Sequence, residues 1–388
     1  MRPWPVRLGL VLLVLALDAM PASSSQQLLT PLRFTDIGSW PSDDHGAALA
    51  AFRRSCAEIV AEGRAFARPV RFGGERRQWL DICDRAATAG DARQFFETNF
   101  VPFKVREAER PEGLFTGYYE PEAEGSLTPS AQYPAPIYGK PSDLVAFDDA
   151  AKTATGLSYG RIVDGEPRPY FTRREIEEGA LANRGLEIVW LRDWVDAFFI
   201  HVQGSGRVRL ADGGTKRLAY AGKSGRPYTS IGGVLVERGE LTRETMSMQS
   251  LRQWMARDPQ AARDLMWQNE SFIFFREVEL ADADLGAPGA QQVQLTPLRS
   301  LAVDRSIWMF GTPVWLDTSV PDGKGGEEAF RHLMIAQDTG SAIRGAARGD
   351  IYFGFDPLAG ERAGRMKAAG TMIVLLPRAL AETLDGRP

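Results

Sequence analysis

The sequence predicts a mainly β protein with helices near the N-terminus and a second helical stretch in mid-chain. Apolar residues recur at helical spacing between Asp44 and Asn99. Farther along, short β-prone runs alternate with turns rich in glycine and proline. The C-terminal part contains five such runs with no amphipathic helix between them, a pattern typical of a compact β-barrel.

Length and charge exclude some classes of partner. The chain has 388 residues and a formal net charge of −4, so it is long enough to bury more than one core. A mildly acidic chain gives no electrostatic reason to expect binding to nucleic acid or to an anionic membrane surface. We therefore expect no nucleic-acid partner, and a chain of this length is compatible with a monomer.

Residues 1–25 are predicted to be a secretory signal. Arg2 and Arg7 form a short basic region before an apolar run of ten residues, Leu8–Leu17. Pro21–Ser23 offers a cleavage site. Ten apolar residues are too few to span a bilayer, which needs about 20. We expect export followed by release, and an uncleaved membrane anchor is the alternative.

Cys56 and Cys83 are the only cysteines in the sequence. Because none precedes Cys56, no cysteine is available next to the signal for a lipid anchor. In an oxidising compartment the two could pair, but both lie among apolar helical positions, and we expect packed free thiols. The histidines are scattered and no CxxC pattern occurs, so no metal or cofactor is expected.

Three helices are predicted in the N-terminal part, over Asp44–Gly63, Glu75–Ala89 and Asp91–Asn99. Gly90 supplies a stop for the second of them. They offer no convergent polar cluster, and we assign them no chemistry.

The character of the chain changes at Phe115–Tyr119, a β-prone run that ends at Glu120–Glu122, where a proline prevents a helix. Its tyrosines either stack on a sugar face or form part of a buried aromatic strand. From Tyr133 to Tyr228 the chain is rich in strands and turns, and strands are predicted at Leu186–Trp194 and Ala197–Val202.

The segment Gln203–Gly206 places an amide and a hydroxyl between glycines. Glycines let the backbone and short side chains approach a glycan at little steric cost. A plain hairpin turn is the alternative. A phosphate-binding loop is excluded because the GxxxxGK[ST] pattern is missing. Downstream, Lys223 either meets a peptide carboxylate on a substrate or is a solvated loop lysine.

Helices are predicted again within Val234–Trp267, after a cap at Thr229 or Ser230, and a strand follows at Ser271–Arg276. The predicted C-terminal strands are Ser306–Phe310, Pro313–Leu316, Arg331–Ala336, Ile351–Phe353 and Thr371–Leu376.

Two aspartates twelve residues apart, Asp338 and Asp350, lie at the ends of these β-prone runs. Asp338 opens a Thr-Gly-Ser turn, and Asp350 follows Gly349. A carboxylate at a strand end, beside a glycine that lets a ligand approach, is a usual arrangement for acid–base chemistry. An Asx-turn and a plain strand start are the structural alternatives.

Several motifs occur in a fixed order along the chain. They are Phe115–Tyr119, His201–Gly206, Tyr220–Lys223, Asn269–Phe272, and the three aspartates Asp304, Asp338 and Asp350. This ordered set, within Pro111–Pro377, resembles the MltA family of lytic transglycosylases and its three-aspartate module.

The resemblance implies a fold that is mainly β with N-terminal helices. A six-stranded double-psi β-barrel would carry an inserted second β-rich domain, with the glycan in the groove between them. The implied division is 1–25 for the signal peptide, 26–115 and 275–388 for the barrel domain with its N-terminal helices, and 116–274 for the inserted domain. With the signal, it implies the periplasm of a Gram-negative bacterium. The implied partners are peptidoglycan glycan strands and other cell-wall enzymes.

The resemblance also implies site residues and their roles. Asp350 would protonate the leaving oxygen and then accept the C6 hydroxyl proton, leaving 1,6-anhydromuramic acid. Asp338 would orient groups or hold up the pKa of Asp350. Asp304 would be structural, pairing with Arg305 or capping a turn. The substrate-contacting residues would be Thr116, Gly117, Tyr118, Gln203, Gly204, Ser205 and Gly206.

Two other functions stay open on the sequence. An ordinary two-carboxylate peptidoglycan hydrolase would need Glu120 or Glu270 to face Asp350. A non-catalytic wall-binding protein would need no acid, and the presence of Asp350 argues against it.

Overall fold

The computed structural model describes residues 28–106, 112–356 and 358–384. The predicted signal, residues 1–25, lies outside them. No helix within these three ranges is both long enough and apolar enough to cross a bilayer.

The described helices are short, apart from those near the N-terminus. They are α1 (His45–Ala61), α2 (Arg76–Thr88), α3 (Ala92–Asn99), α4 (Asp149–Thr155), α5 (Arg173–Glu175), α6 (Trp194–Gln203), α7 (Ile231–Glu237), α8 (Met248–Met255), α9 (Pro259–Met266), α10 (Ala359–Arg365) and α11 (Arg378–Leu384).

The described strands before the mid-chain helices are β1 (Leu29–Pro31), β2 (Phe100–Val105), β3 (Gly113–Tyr118), β4 (Glu122–Ser126), β5 (Ala135–Tyr138), β6 (Val145–Ala146), β7 (Tyr159–Val163), β8 (Glu166–Arg168), β9 (Glu187–Leu191), β10 (Ser205–Leu210) and β11 (Thr215–Lys223). Those after them are β12 (Ile273–Glu277), β13 (Ser300–Val303), β14 (Pro313–Pro321), β15 (Glu327–Asp338), β16 (Arg348–Tyr352) and β17 (Lys367–Pro377).

The three predicted N-terminal helices are present as α1, α2 and α3. Asp44 and Asp91 cap α1 and α3, because each carboxylate accepts a hydrogen bond from a main-chain amide of the first turn. The apolar faces of the helices pack against β14, β15 and β17, and Trp40, Phe52 and Trp79 are fully buried in this core. These helices therefore brace one side of the barrel.

Cys56 and Cys83 form a disulfide between α1 and α2, so the prediction of packed free thiols is wrong. Both residues are buried, as that prediction required. The packing of the two helices brings their Cα atoms to 5.3 Å, a separation that a disulfide spans without strain. The pairing depends on this packing and not on the sequence around either cysteine.

Six strands close into a barrel. Strand β17 pairs with β14, β14 with β15, β15 with β13, β13 with β16, and β16 with β3, which returns to β17. Phe115, Leu301 and Ile351 fill its interior and are fully buried. The predicted fold class, mainly β with N-terminal helices and a six-stranded barrel, is confirmed. Strands β1 and β2 extend the sheet beyond β17.

A second sheet is built by the chain between β3 and β12. Its order is β12, β11, β10, β4, β9 and β5. Gly139, which follows β5, pairs with Phe275 of β12, so this sheet almost closes on itself. Helix α6 packs on it, helices α7, α8 and α9 pack on the other side of α6, and a three-stranded sheet of β6, β7 and β8 stands beside it.

The predicted strand at Ala197–Val202 is wrong, because these residues lie in α6. Asp193 caps the helix by accepting a hydrogen bond from the Val195 amide. Ile200 packs against the second sheet, whereas Phe198 packs against the helical layer on the other side. A helix that is buried on two sides has an unbroken apolar run, which cannot be distinguished from a buried strand by periodicity.

The predicted strand at Ser306–Phe310 is also wrong. The strand here is β13, which ends just before Asp304. The Asp304 carboxylate accepts hydrogen bonds from the amide and the hydroxyl of Ser306, at 3.0 and 2.6 Å, and so caps a turn as predicted. Its ion pair is with Arg344, at 3.6 Å, and not with Arg305.

The remaining predicted elements occur close to their expected places. Ser230 caps α7, and Pro259 opens α9. The expected lack of a helix between the C-terminal strands does not hold, since α10 separates β16 from β17. This helix covers the groove side of β3 and lies beside the site described next.

Candidate active site

Side chains on the outer face of the barrel form a row across neighbouring strands. Asp338 in β15 and Asp350 in β16 each lie opposite Ala302 of the intervening strand β13. Thr116 in β3 lies opposite Asp350 on its other side. Paired residues share a face of a sheet and successive residues alternate. Because Phe115 points into the barrel, this row points outward.

Thr116, at one end of this row, lines a groove between the barrel and the second domain. A cavity of about 290 Å³ opens beside Thr116 and Gly117. Its walls come from β3, α10 and the start of β17 on the barrel side, and from α6, α7 and α8 on the other. The two predicted aspartates and the predicted sugar-binding strand are therefore brought together.

Asp350 is half-buried and has few polar partners. The Thr116 hydroxyl donates a hydrogen bond to its Oδ1 atom. Burial raises the pKa of Asp350, and the Arg348 charge and the Thr116 hydrogen bond offset only part of that rise. A carboxyl with a raised pKa keeps its proton at a higher pH, which is what a general acid needs.

Asp338 has hydrogen-bond donors on both of its oxygens. Oδ1 accepts from the amides of Ala290 and Thr339, at 2.8 and 2.9 Å, and Oδ2 accepts from the Tyr118 hydroxyl at 3.0 Å. Burial nevertheless raises the pKa of Asp338, and the charge of Asp350 adds to the rise. Three donors therefore stabilise the ionised form of Asp338, whereas Asp350 accepts a hydrogen bond from Thr116.

Gln203 reaches the cavity from the last turn of α6. Gly204, with φ of 78°, takes the left-handed conformation that ends the helix and leads directly into β10. The Gln203 Oε1 atom accepts the amide hydrogen of Tyr119 at 3.1 Å, which leaves its NH₂ group to donate elsewhere. Gln203–Gly206 is thus a helix-to-strand junction and not a hairpin turn. Ser205 and Gly206 belong to β10, behind Gln203.

Comparison with known proteins agrees with this geometry. The model of the MltA specific insert domain matches residues 114–276, and the model of the 3D domain matches residues 299–376. The membrane-bound lytic murein transglycosylase A of Escherichia coli K12 is 33% identical over 313 residues, 79% of this chain and 78% of that protein. The chain belongs to the MltA family. The Vibrio cholerae relative of the same name is 36% identical over 262 residues, 66% of this chain and 63% of that protein.

Solved structures of this family share the fold. A membrane-bound lytic murein transglycosylase from Agrobacterium tumefaciens has a TM-score of 0.81 and 37% identity, over 92% of this chain and 99% of that one. MltA from Neisseria gonorrhoeae, in a monoclinic form, has a TM-score of 0.72 and 31% identity, over 90% and 92%. E. coli MltA with bound chitohexaose has a TM-score of 0.62 and 30% identity, over 85% and 90%.

The family predicted from the sequence motifs is therefore confirmed. Its named members are lytic murein transglycosylases, which is the predicted class of enzyme. These relatives are also named membrane-bound, which agrees with a location in the cell envelope.

In this MltA-family chain the two adjacent tyrosines have different surroundings. Tyr118 is only 8% exposed, and its ring packs against that of Tyr352 at 5.2 Å. Tyr119 lines the cavity, so it is the tyrosine with a face open to a sugar. Gly117, between Thr116 and Tyr118, packs tightly, since a Cβ atom at this position would lie 2.5 Å from the Phe353 ring.

Two residues of the site were not anticipated from the sequence. Arg348 donates to the Thr116 hydroxyl oxygen at 2.7 Å. It lies two residues before Asp350 in the same strand, so period-two alternation could have placed it on the same face. Tyr228 lines the cavity, and besides burial the charge of Asp350 raises its pKa. Tyr228 lies far from both aspartates in sequence and gives no such signal.

The glutamates that a two-carboxylate mechanism would need are held by arginines. Glu120 is buried and pairs with Arg217 at 3.0 Å and with Arg207 at 3.5 Å. Burial raises the pKa of Glu120, against the effect of these two arginines. Glu270 pairs with Arg226 at 3.6 Å. Neither glutamate has Asp350 as a partner in the described part of the chain.

Proposed function

We propose that this protein cleaves the β-1,4 bond between N-acetylmuramic acid and N-acetylglucosamine in peptidoglycan and forms 1,6-anhydromuramic acid. The observation that carries the proposal is the environment of Asp350, a half-buried carboxyl of raised pKa that accepts a hydrogen bond from the groove-lining Thr116. A family member was solved with chitohexaose, and we assign the glycan strand to the corresponding groove here.

Asp350 acts first as the acid. Its proton goes to the glycosidic oxygen while the bond from C1 to that oxygen breaks and the sugar becomes oxocarbenium-like. The Asp350 carboxylate then accepts the proton of the C6 hydroxyl, whose oxygen bonds to C1. The proton lost in the first step is regained in the second, and no water is consumed.

A single carboxyl is sufficient for this reaction, and the surroundings of the others disfavour a second role. A base that activates water needs a free oxygen within reach of that water. Asp338 accepts donors at both oxygens. Glu120 is buried between Arg217 and Arg207. These pairings favour a transglycosylase over a two-carboxylate hydrolase.

Asp338 supports the acid without transferring the proton. Its ionised form is held by Tyr118, Ala290 and Thr339. A negative charge near Asp350 makes ionisation of Asp350 less favourable, which keeps its proton available.

The glycan contacts follow from the cavity lining. We propose that the free NH₂ group of Gln203 donates to a sugar hydroxyl or acetamido oxygen, and that Tyr119 stacks on a pyranose ring. Thr116 and Gly117 form the floor below them. Ser205 would contact the strand from β10, next to Gln203.

We also propose the domain division 26–115 with 275–388 for the barrel and 116–274 for the insert. Export through residues 1–25 would bring a monomer to the glycan strands in the periplasm.

Product analysis tests the proposed function. Purified sacculi are digested with the protein, and the soluble muropeptides are analysed by mass spectrometry. We expect 1,6-anhydro products. Reducing-end products that carry added water would establish a hydrolase instead, and binding to sacculi without release would establish a wall-binding protein.

A further inference from the structure

A second feature lies next to Asp338 in the chain, in the loop that follows it, residues 339–345. The Thr339 hydroxyl donates to the carbonyl of Val303 at 2.8 Å, and the Gly345 amide donates to Asp304 at 3.0 Å. The loop is therefore tied to the barrel at both ends.

Lys223, at the end of β11 in the second sheet, contacts this loop. Its Nζ atom donates to Ser341 Oγ at 3.3 Å and lies 6.0 Å from the centre of the Tyr159 ring. The chain after Lys223 packs closely on Tyr159, because a Cβ at Gly225, whose φ is 80°, would lie 2.8 Å from the Tyr159 Cβ atom. The lysine is half-buried and well positioned.

Two arginines extend this positive charge. Lys223 donates to Ser341 of the loop that also carries Arg344. Burial lowers the pKa of Lys223, and the charge of Arg344 lowers it further. Arg68 is near enough to Arg344 and Tyr159 for both to affect its pKa. These three cations come from three separate parts of the chain and lie near the loop 339–345.

Among the described residues, Asp304 lies near these cations, and one carboxylate balances one of the three charges. Arg344 has an ion pair with Asp304, at 3.6 Å, and its side chain stays 63% exposed. Lys223 and Arg68 form no ion pair in the described part of the chain. Holding like charges together in a partly buried place costs stability, and a bound anion would offset that cost.

We propose that Lys223 and Arg344, with Arg68 beside them, bind a carboxylate of the peptide that peptidoglycan carries on its N-acetylmuramic acid. The inference rests on the proposed function and adds a substrate preference to it. A glycan strand along the row of Asp350 and Asp338 would extend toward the loop that follows Asp338. In an intact strand the lactyl carboxyl of each N-acetylmuramic acid is tied up in the amide bond to the peptide, so the free carboxylates available to these cations belong to the peptide. The Ser341 hydroxyl adds a donor to the set.

The test compares two substrates that share one glycan. Intact strands carry peptides. The bare strands are made with an amidase that removes the peptides, and the lactyl carboxylates that this frees are then converted to neutral methylamides, so that the bare strands carry no anion. Lys223→Gln and Arg344→Gln should each lower kcat/KM on peptide-bearing strands by roughly tenfold, the effect of losing one charged hydrogen bond. Both variants should act normally on the bare strands. Lys324→Gln, at an exposed lysine on the β14–β15 hairpin, is the matched control and should behave as wild type.

The outcomes separate a ligand role from a structural one. An equal loss on both substrates, or no loss on peptide-bearing strands, overturns the inference. Amidating the peptide carboxylates should abolish the preference of the wild-type protein, and a preference that survives amidation also overturns it. The affinities of Asp350→Asn for a peptide-bearing fragment and for its peptide-free counterpart measure the same preference without turnover. That measurement decides the inference even if the wild-type protein releases no anhydro products and the proposed function fails.

Discussion

The hydroxyl of Thr116 donates to Oδ1 of Asp350 and accepts a hydrogen bond from Arg348. The three side chains come from two adjacent parallel strands, β3 and β16, that are far apart in the chain. The arrangement links the proposed acid to a cation through one hydroxyl, so the charge of Asp350 can be tuned without a direct ion pair.

Asp350→Asn should abolish turnover while preserving the fold. The amide keeps the volume of the side chain but neither delivers nor accepts the acid proton, and general acid–base catalysis is worth roughly 10²–10⁴-fold. Release of anhydro-muropeptides from sacculi measures the loss, and circular dichroism checks folding. Asp338→Asn should be milder, because an amide can still accept from main-chain amides. A folded Asp350→Asn variant with near-normal turnover would exclude the one-acid mechanism.

Thr116→Val should move the pH profile of kcat/KM. A hydrogen bond donated to a carboxylate favours its ionised form, so its loss raises the pKa of Asp350 further. Activity needs protonated Asp350 and falls as pH rises through that pKa. The descending limb should therefore shift to higher pH. Thr116→Ser retains the hydroxyl and serves as the control, and a limb that stays in place in Thr116→Val would exclude this role.

Gln203→Ala should weaken glycan binding. Its amide is in the cavity, and its Oε1 atom is already used by the Tyr119 amide. Loss of a buried hydrogen bond costs roughly 1–3 kcal/mol. Titration of chitooligosaccharides into the inactive Asp350→Asn background, with and without the second change, measures the difference. Equal affinities would remove Gln203 from the binding site.

Reduction of the disulfide between Cys56 and Cys83 should lower the free energy of unfolding. The bond closes a loop with a sequence separation of 27 residues. In the chain-entropy model, closing a loop of this size in the unfolded chain stabilises the folded state by about 3–4 kcal/mol. Urea unfolding with and without reductant measures the effect. A Cys56→Ala/Cys83→Ala double variant is the control, and its urea unfolding should be the same with and without reductant. Identical unfolding of the oxidised and reduced wild type would contradict the expectation.

Asp43→Asn should destabilise the fold in a pH-dependent way. Burial opposes ionisation of Asp43, but hydrogen bonds from His332 and Arg299 and an amide outweigh it and hold its pKa below the usual range. Such a carboxylate contributes stability above its unfolded pKa, about 3.9, and loses it as pH falls toward the folded pKa. Breaking a buried pair costs roughly 3–5 kcal/mol.

Unfolding midpoints of wild type and Asp43→Asn should differ most near neutral pH and converge in acid. Asp44→Asn is the neighbouring control, because an asparagine still caps α1. A difference that stays constant with pH would contradict the assignment of this stability to the ionised carboxylate.

The sequence by itself determined the local elements and the order of the motifs. The helical spacing between Asp44 and Asn99 predicts α1, α2 and α3, since one face of each must be apolar to pack. The β-prone runs beside Asp338 and Asp350 predict strands, because short apolar runs bounded by turn residues are a local property of the chain. The ordered motifs then identify the family and point to the acid.

Only the tertiary structure decided which distant residues meet. Residues Ala197–Val202 lie in a helix that is buried on two sides. An unbroken run of apolar residues does not distinguish such a helix from a buried strand. The pairing of Cys56 with Cys83, the contact of Tyr118 with Asp338, and the meeting of Lys223 with the loop after Asp338 each depend on packing between separate elements. Local sequence encodes the period of one segment, whereas the partner of a side chain is set by segments elsewhere in the chain.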